Sequence, residues 1–310
     1  MRYNLTTGST DLTDDLFPTI AKNDASHNGS AIAVDGEGYI HAWIAMHNHP
    51  MKYYRSIAPG TYNNFSENIG STMNYNGAEP EAFTYPNAAT SSNGDVFLIL
   101  RNNGPRSQQN ETQWFYHLDK TTDTWKALKI YGKTNYNAYM SHLYADKENN
   151  IHIATAWSKY HDGPNTFQKG TYMKYNVDTQ KFFKADKTDV THAIPIAHDD
   201  IEADVFYLNQ LPWATDPDDD DTEEIQTPRV CVTKEGHPIV SYSQSQDNGI
   251  GKKWNAQIVV FNGTQWIQRK NVIEDVNKFA RTDITYTCGR INLFERIKGK
   301  IHIISSENNG

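Results

Sequence analysis

The chain has 310 residues, 37% of them hydrophobic, and a formal net charge of −8. It can bury a sizeable core as one large or two ordinary domains, and its charge argues against a general nucleic-acid binder. The start, Met1 to Thr7, has no apolar signal-peptide core, and no stretch approaches the ~18 apolar residues of a membrane span. Cys231 and Cys288 form no C-x-x-C pair, so two buried thiols are the default expectation.

Short alternating apolar runs, 18 Tyr, 12 Phe and 7 Trp, and recurrent Asn, Thr and Gly turns point to an all-β protein. After a polar stretch over 1–22, one unit recurs: strand, acidic or Asn/Gly turn, apolar strand. Its returning strands begin near 38, 94, 150, 236 and 299, in steps of 56, 56, 86 and 63 residues. The long step holds an acidic insertion at about 191–224, with the run Asp216 to Asp221. Such a period, with several strands per unit, is the signature of a β-propeller of four-stranded antiparallel blades. Third strands are expected at Tyr53–Arg55, Trp114–Leu118, Tyr172–Tyr175 and Gln257–Phe261. Fourth strands follow at Trp125 and Trp266, each Trp plugging a gap between blades. About five blade units result, in a single domain over 1–310. Either residues 1–22 complete the fifth blade, or the propeller is incomplete.

The first strand of each blade lines the central channel, and its start shares a face with the end of the second strand. Tyr85 and Arg101, 16 residues apart at the open ends of one antiparallel pair, should therefore meet. First-strand positions offer His27, Tyr85, Tyr139, Arg229 and Arg290, and second-strand ends offer His47, His49, Arg101 and Lys159. Tyr and His are also common at strand ends for structural reasons, but repetition from blade to blade favours a site. No carboxylate pair suited to ordinary glycoside hydrolysis stands at these positions, since Glu79 and Glu81 precede the strand. His, Tyr and Arg do suit β-elimination from a uronic acid. Arg101 would pair with the carboxylate and stabilise the enolate-like intermediate. A neutral His can take the proton alpha to that carboxylate. A Tyr can protonate the departing oxygen, its pKa lowered by a nearby cation.

Two segments carry a resemblance: Asp35 to His41 with His47-Asn48-His49-Pro50 to Ser56, and Phe83-Thr84-Tyr85-Pro86 with Asn93-Gly94-Asp95 and Leu98 to Asn102. Together with Asn137-Ala138-Tyr139 and Asn150-Ile151-His152, they resemble the BNR-repeat propeller family that includes ulvan lyases, typically seven-bladed. The resemblance is good over about 24–160 and loose beyond. It implies a secreted or periplasmic polysaccharide lyase acting on an anionic, uronate-containing polysaccharide such as ulvan. His47 would then be the base, Tyr85 the acid or a dual acid/base, Arg101 the carboxylate partner, and His27 would orient the uronate. Asn28, Asn48, His49, Tyr139, Arg229 and Arg290 would complete the substrate-binding set.

Two rival readings stand beside this one: a non-catalytic carbohydrate-binding propeller, and a sialidase-type hydrolase with a Tyr nucleophile, for which no acidic partner is visible. The chemistry requires no cofactor and no catalytic metal. His192, His198, His237, Cys231 and Cys288 could make a structural zinc site, although their spacing matches no compact motif. The Asp216–Asp221 run could attract calcium but lacks the D-x-D-x-D-G pattern. A monomer without nucleic-acid or membrane partners is expected.

Overall fold

The computed structural model describes residues 2–3, 6–11, 17, 29–73, 78, 82–103, 111–132, 136–159, 166–208, 224–247, 252–276, 282–297 and 300–306. Two of its inner hairpins close where an aspartate precedes a left-handed residue. Asp35 Oδ1 accepts the N–H groups of Glu37 and Tyr39 at 2.9 and 2.8 Å, and Gly38 sits at φ 92°. Asp146 Oδ1 accepts those of Glu148 and Asn150, both at 2.9 Å, around Asn149 at φ 61°. Gly and Asn are the residues that tolerate this conformation. Gly94, Gly236 and Gly289 occupy the corresponding turns at φ 92°, 79° and 77°. Gly94 is constrained twice, because a Cβ there would lie 2.5 Å from Gly36 Cα in the neighbouring turn.

Strands β1 (Arg2–Tyr3) and β2 (Thr10–Asp11) form a two-stranded sheet of their own. They do not join the fifth blade among the described residues. Blade one holds β3 (Gly29–Val34), β4 (Ile40–His49) and β5 (Tyr53–Arg55). Blade two holds β6 (Phe83–Thr90), β7 (Val96–Asn102), β8 (Thr112–Asp119) and β9 (Thr124–Tyr131). Blade three holds β10 (Tyr136–Ala145), β11 (Asn150–Lys159), β12 (Thr166–Asn176) and β13 (Lys181–Phe183). The described part of the insertion adds β14 (Asp204–Leu208) to this blade, paired with β12. Blade four holds β15 (Ile225–Val232), β16 (Pro238–Asp247), β17 (Lys252–Phe261) and β18 (Trp266–Val276). Blade five holds β19 (Asp283–Thr287), β20 (Arg290–Ile297) and β21 (Lys300–Ser305). All pairs within blades are antiparallel, and β3, β6, β10, β15 and β19 pack successively as the inner strands.

The core lies between blades because alternate residues of a strand face opposite neighbours. On β7, Val96, Leu98 and Leu100 pack with Trp43, Met46 and Tyr53 of blade one. Phe97 and Ile99 pack with Leu143, Ile151 and Ile153 of blade three. Two covered faces explain why all seven β7 residues are buried and why the strand reads as a continuous apolar run. Blades three and four meet through Ala154, Tyr172, Val230 and Tyr242, and blades four and five through Cys231, Ile258, Ile291 and Leu293. Trp125 stands edge-on to Trp43 and Tyr53, and Trp266 packs on Phe206 and Tyr172, as blade plugs. Ile32 and Val34 of β3 and Ile301 and Ile303 of β21, on the two flanking blades, are exposed.

The fifth blade differs from the sequence reading. Its inner strand is β19, and its inner turn is Cys288-Gly289 rather than Gly299-Lys300. That turn lies beside Asp146–Glu148 and Thr233–Gly236, the turns of blades three and four. Arg290, paired with Thr287 at this turn, is therefore on the face opposite Tyr85 and leaves the candidate site. Cys231 is buried, but Cys288 is exposed, so only one of the two expected buried thiols is buried.

Candidate functional site

The first strands bulge at the same level. Register shifts fall at Gly29/Ala31, Thr84/Asn87, Ala138/Met140 and Gln226/Arg229. A bulge re-aims the side chain it carries. In β6 and β10 those bulge residues are Tyr85 and Tyr139. Tyr85 has φ 54°, in the left-handed region where a bulky residue is strained; Thr227, also followed by a proline, has φ 49°. Below the bulges, side chains tie each inner strand to the next. The Leu143 N–H donates to Asn87 Oδ1 at 2.7 Å, and the Val230 N–H donates to His142 Nδ1 at 3.2 Å. Arg229 Nε meets Asp283 Oδ1 at 3.2 Å. Arg229 thus matches Asn87 and His142 rather than Tyr85, and its guanidinium bridges two blades. Burial, then Arg229, holds the His142 imidazole well below its usual pKa, so it stays neutral as an acceptor.

At the bulge level the expected groups converge. Thr84 pairs with Arg101 in the β6–β7 register, which carries the guanidinium next to Tyr85. Arg101 Cζ lies 4.8 Å from the centroid of the Tyr85 ring and 4.4 Å from that of Tyr139. The two phenol oxygens are 3.3 Å apart. The end of β4 leaves its own blade and pairs with the start of β6, His47 opposite Thr84 and His49 opposite Phe83. The His47 ring consequently stacks near Tyr85, at 6.1 Å between centroids and 24° between planes. Asn48, at φ 53°, locks this crossing: its N–H donates to Thr84 Oγ1 at 2.9 Å, and the Thr84 hydroxyl donates to Asn48 Oδ1 at 3.1 Å. Asn103 Nδ2 donates to the same Oδ1. His27 and Asn28 lie outside the described residues, as does the Asp216–Asp221 run.

Glu111 is the site residue that sequence reasoning missed. Its Oε2 accepts from Arg101 Nη1 at 3.2 Å, with the arginine 3% exposed and the glutamate side chain 17%. It directly precedes β8, and third strands start on the same face where second strands end. Extending the open-end argument by one strand would have found it. Burial raises the Glu111 carboxyl pKa, with Arg101 opposing. Burial also pushes the Tyr85 phenol well up; its contact with Tyr139 adds to this, and Arg101 only partly offsets it. The expectation that a cation would lower this pKa is reversed, because desolvation outweighs the charge. Tyr85 is a protonated phenol at neutral pH, which equips it as a proton donor.

The expected zinc ligands are dispersed. Cys231 is in the core between blades four and five, Cys288 is on an exposed turn, and His198 stacks on Tyr136 at 4.2 Å. Among the described residues, no three His, Cys, Asp or Glu side chains gather as a metal site, and no helix is long and apolar enough to cross a membrane.

Antiparallel blades packed side by side through their inner strands, with a His–Tyr–Arg cluster where the first two blades meet, define a β-propeller with a polar site. The chain belongs to the BNR repeat-containing family, whose model matches residues 2–272. Among solved structures, it is similar to a PL25 polysaccharide lyase, an ulvan lyase bound to -[GlcA(1-4)Rha3S]-. The identity is 15% and the TM-score 0.69, over 91% of this chain and 68% of that one. A second structure of a PL25 ulvan lyase matches with 15% identity and TM-score 0.70, over 92% and 68%. An α-L-arabinanase from Penicillium chrysogenum, complexed with arabinobiose, matches with 12% identity and TM-score 0.59, over 92% and 80%. At these identities the similarity establishes the propeller fold. No curated protein sequence matches the chain.

Proposed function

We propose that the protein is a polysaccharide lyase that cleaves a uronate-containing polysaccharide by β-elimination. The observation that carries this reading is the convergence of His47, Tyr85 and Arg101, from two successive blades, at the open ends of their strands. Arg101 pairs with the uronate carboxylate and makes the alpha proton acidic by stabilising the enolate-like intermediate. His47 takes that proton. Tyr85, held protonated by its surroundings, gives its proton to the glycosidic oxygen as the bond breaks. A carbon–carbon double bond forms in the uronate and one new reducing end is released, with no net gain or loss of protons. Tyr139 and Asn48 line the same site and contact the sugar, and the substrate is an extracellular anionic polymer. The similarity in fold to ulvan lyases supports this assignment.

One observation favours a second reading. Glu111 supplies an acidic group near Tyr85, which a hydrolase with a Tyr nucleophile requires. The two reactions differ in product, since a hydrolase leaves a saturated sugar. Ultraviolet absorbance during incubation with ulvan and other polyuronates separates them: a rise that Tyr85→Phe abolishes supports the lyase, and new reducing ends without absorbance support the hydrolase. Saturable binding without cleavage would make the protein a carbohydrate-binding propeller.

A further inference from the structure

Glu111 and Arg101 form an ion pair at the point where the proposed reaction requires a cation facing the substrate. The pair is built rather than incidental. The Glu111 N–H donates to Asn137 Oδ1 at 3.1 Å, and its carbonyl accepts from the Ala138 N–H at 3.0 Å. Residues 137 and 138 lead directly into the Tyr139 bulge. Blade three thereby fixes the carboxylate that holds the blade-two guanidinium between the Tyr85 and Tyr139 rings. Arg101 Nε has no hydrogen-bond partner among the described residues, although it is shielded from solvent. An orphaned buried donor on a charged group is costly unless a ligand completes it.

A substrate carboxylate arriving at Arg101 places a second anion on a guanidinium that already holds one. Two carboxylates that share a site cannot both remain ionised without penalty, and one takes up a proton. We propose that Glu111 is a positioning residue for Arg101 and that anion binding at Arg101 is coupled to uptake of one proton by Glu111. The inference rests on the reading that Arg101 receives a uronate carboxylate. The groups that face Glu111 fit it: Arg101 from β7 pairs with it, Tyr85 from β6 and Tyr139 from β10 flank the guanidinium, and His47 from β4 lies beyond Tyr85. Burial already raises the Glu111 carboxyl pKa, against the pull of Arg101, which is the direction that favours proton uptake. The proton comes from solvent and stays on a Glu111 oxygen. Arg101 keeps its charge and turns it to the substrate.

Linkage sets the sign. If binding takes up a proton, affinity falls as pH rises, by up to about tenfold per pH unit where uptake is complete. The probe is glucuronate, which carries no sugar on its 4-hydroxyl and is therefore not cleaved; glucose is the neutral control. Calorimetric titrations in two buffers of different ionisation enthalpy read the proton count, and Kd is followed across neutral pH. The wild type should take up a proton with glucuronate and none with glucose. Glu111→Gln keeps an oxygen for Arg101 Nη1 but removes the charge. It should bind glucuronate more tightly at high pH and lose most of the pH slope. Binding of glucuronate with equal proton uptake in the wild type and in folded Glu111→Gln would overturn the inference while leaving the uronate reading intact. Absence of proton uptake in the wild type would overturn it whether or not the variant folds. A wild type that binds glucuronate no better than glucose would sink the uronate reading and this inference with it.

Discussion

Replacing Tyr85 with Phe removes one oxygen and leaves everything else in place. The ring keeps its stacking near His47, at 6.1 Å, and its contact with Arg101, at 4.8 Å. Phe faces the same strained backbone, at φ 54°, as Tyr does. Among the described residues, the hydrogen bond lost is the phenol–phenol contact at 3.3 Å, a long one for two hydroxyls. Its net worth is about 0.5–1 kcal/mol, and removing a buried hydroxyl also removes its desolvation cost. Melting temperature should therefore shift by no more than ~3 °C. Turnover should fall by about 10²–10⁴-fold, the usual contribution of a positioned proton donor. The assay is absorbance of the unsaturated product at saturating polymer, paired with a thermal melt. Turnover within about threefold of wild type would refute the assignment of Tyr85. A collapsed melting temperature would show instead that the phenol holds the site together.

Other perturbations test other parts of the account. His47→Ala should lose a comparable ~10²–10⁴ in turnover, and Arg101→Ala at least as much, because it also frees Glu111 as a buried uncompensated carboxylate; initial rates across pH check both. Burial alone would raise the Asp146 carboxyl, but hydrogen bonds from His152 and Asn150 outweigh it and hold it at about 2, below the ordinary 3.8. This depressed pKa adds stability that is full above about pH 4 and is lost as pH falls through about 2. It amounts to roughly 2 kcal/mol, so Asp146→Asn should flatten the acid limb of a denaturation series. His152 is neutral because burial lowers its pKa, so Tyr172 donates to Nδ1 at 2.6 Å while Nε2 donates to Asp146 at 2.9 Å; Tyr172→Phe should destabilise by about 1–3 kcal/mol in urea melts. Gly94→Ala should also destabilise by more than ~1 kcal/mol, since it strains a left-handed residue and drives a Cβ into the Gly36 turn.

What could be read from the chain followed from antiparallel geometry. Tyr85 and Arg101 meet because hairpin ends close in space whatever loop joins them, and the Gly38 and Gly94 turns mark the period. Arg290 went astray because two glycines, at 289 and 299, each precede an apolar run, and composition does not say which marks the inner turn. The packing of β19 against β15 decides it. Arg229 was matched two residues out of place, because the bulge of β15 falls at Thr227-Pro228 and shifts the strand numbering. Glu111 was missed because the open-end argument stopped at the second strand, and this residue sits just before the third, after a polar connection. The Tyr85 pKa was misjudged in sign because burial is a property of the assembled site and not of the local sequence.

The central claim is that His47, Tyr85 and Arg101 carry out an elimination. The most direct measurement is the structure of the product: mass and proton spectra of the oligosaccharides released from a glucuronate-containing polymer. Fragments with an unsaturated terminal uronate, absent with Tyr85→Phe, are the predicted result. Saturated fragments carrying the elements of water would contradict it and assign the site to a hydrolase.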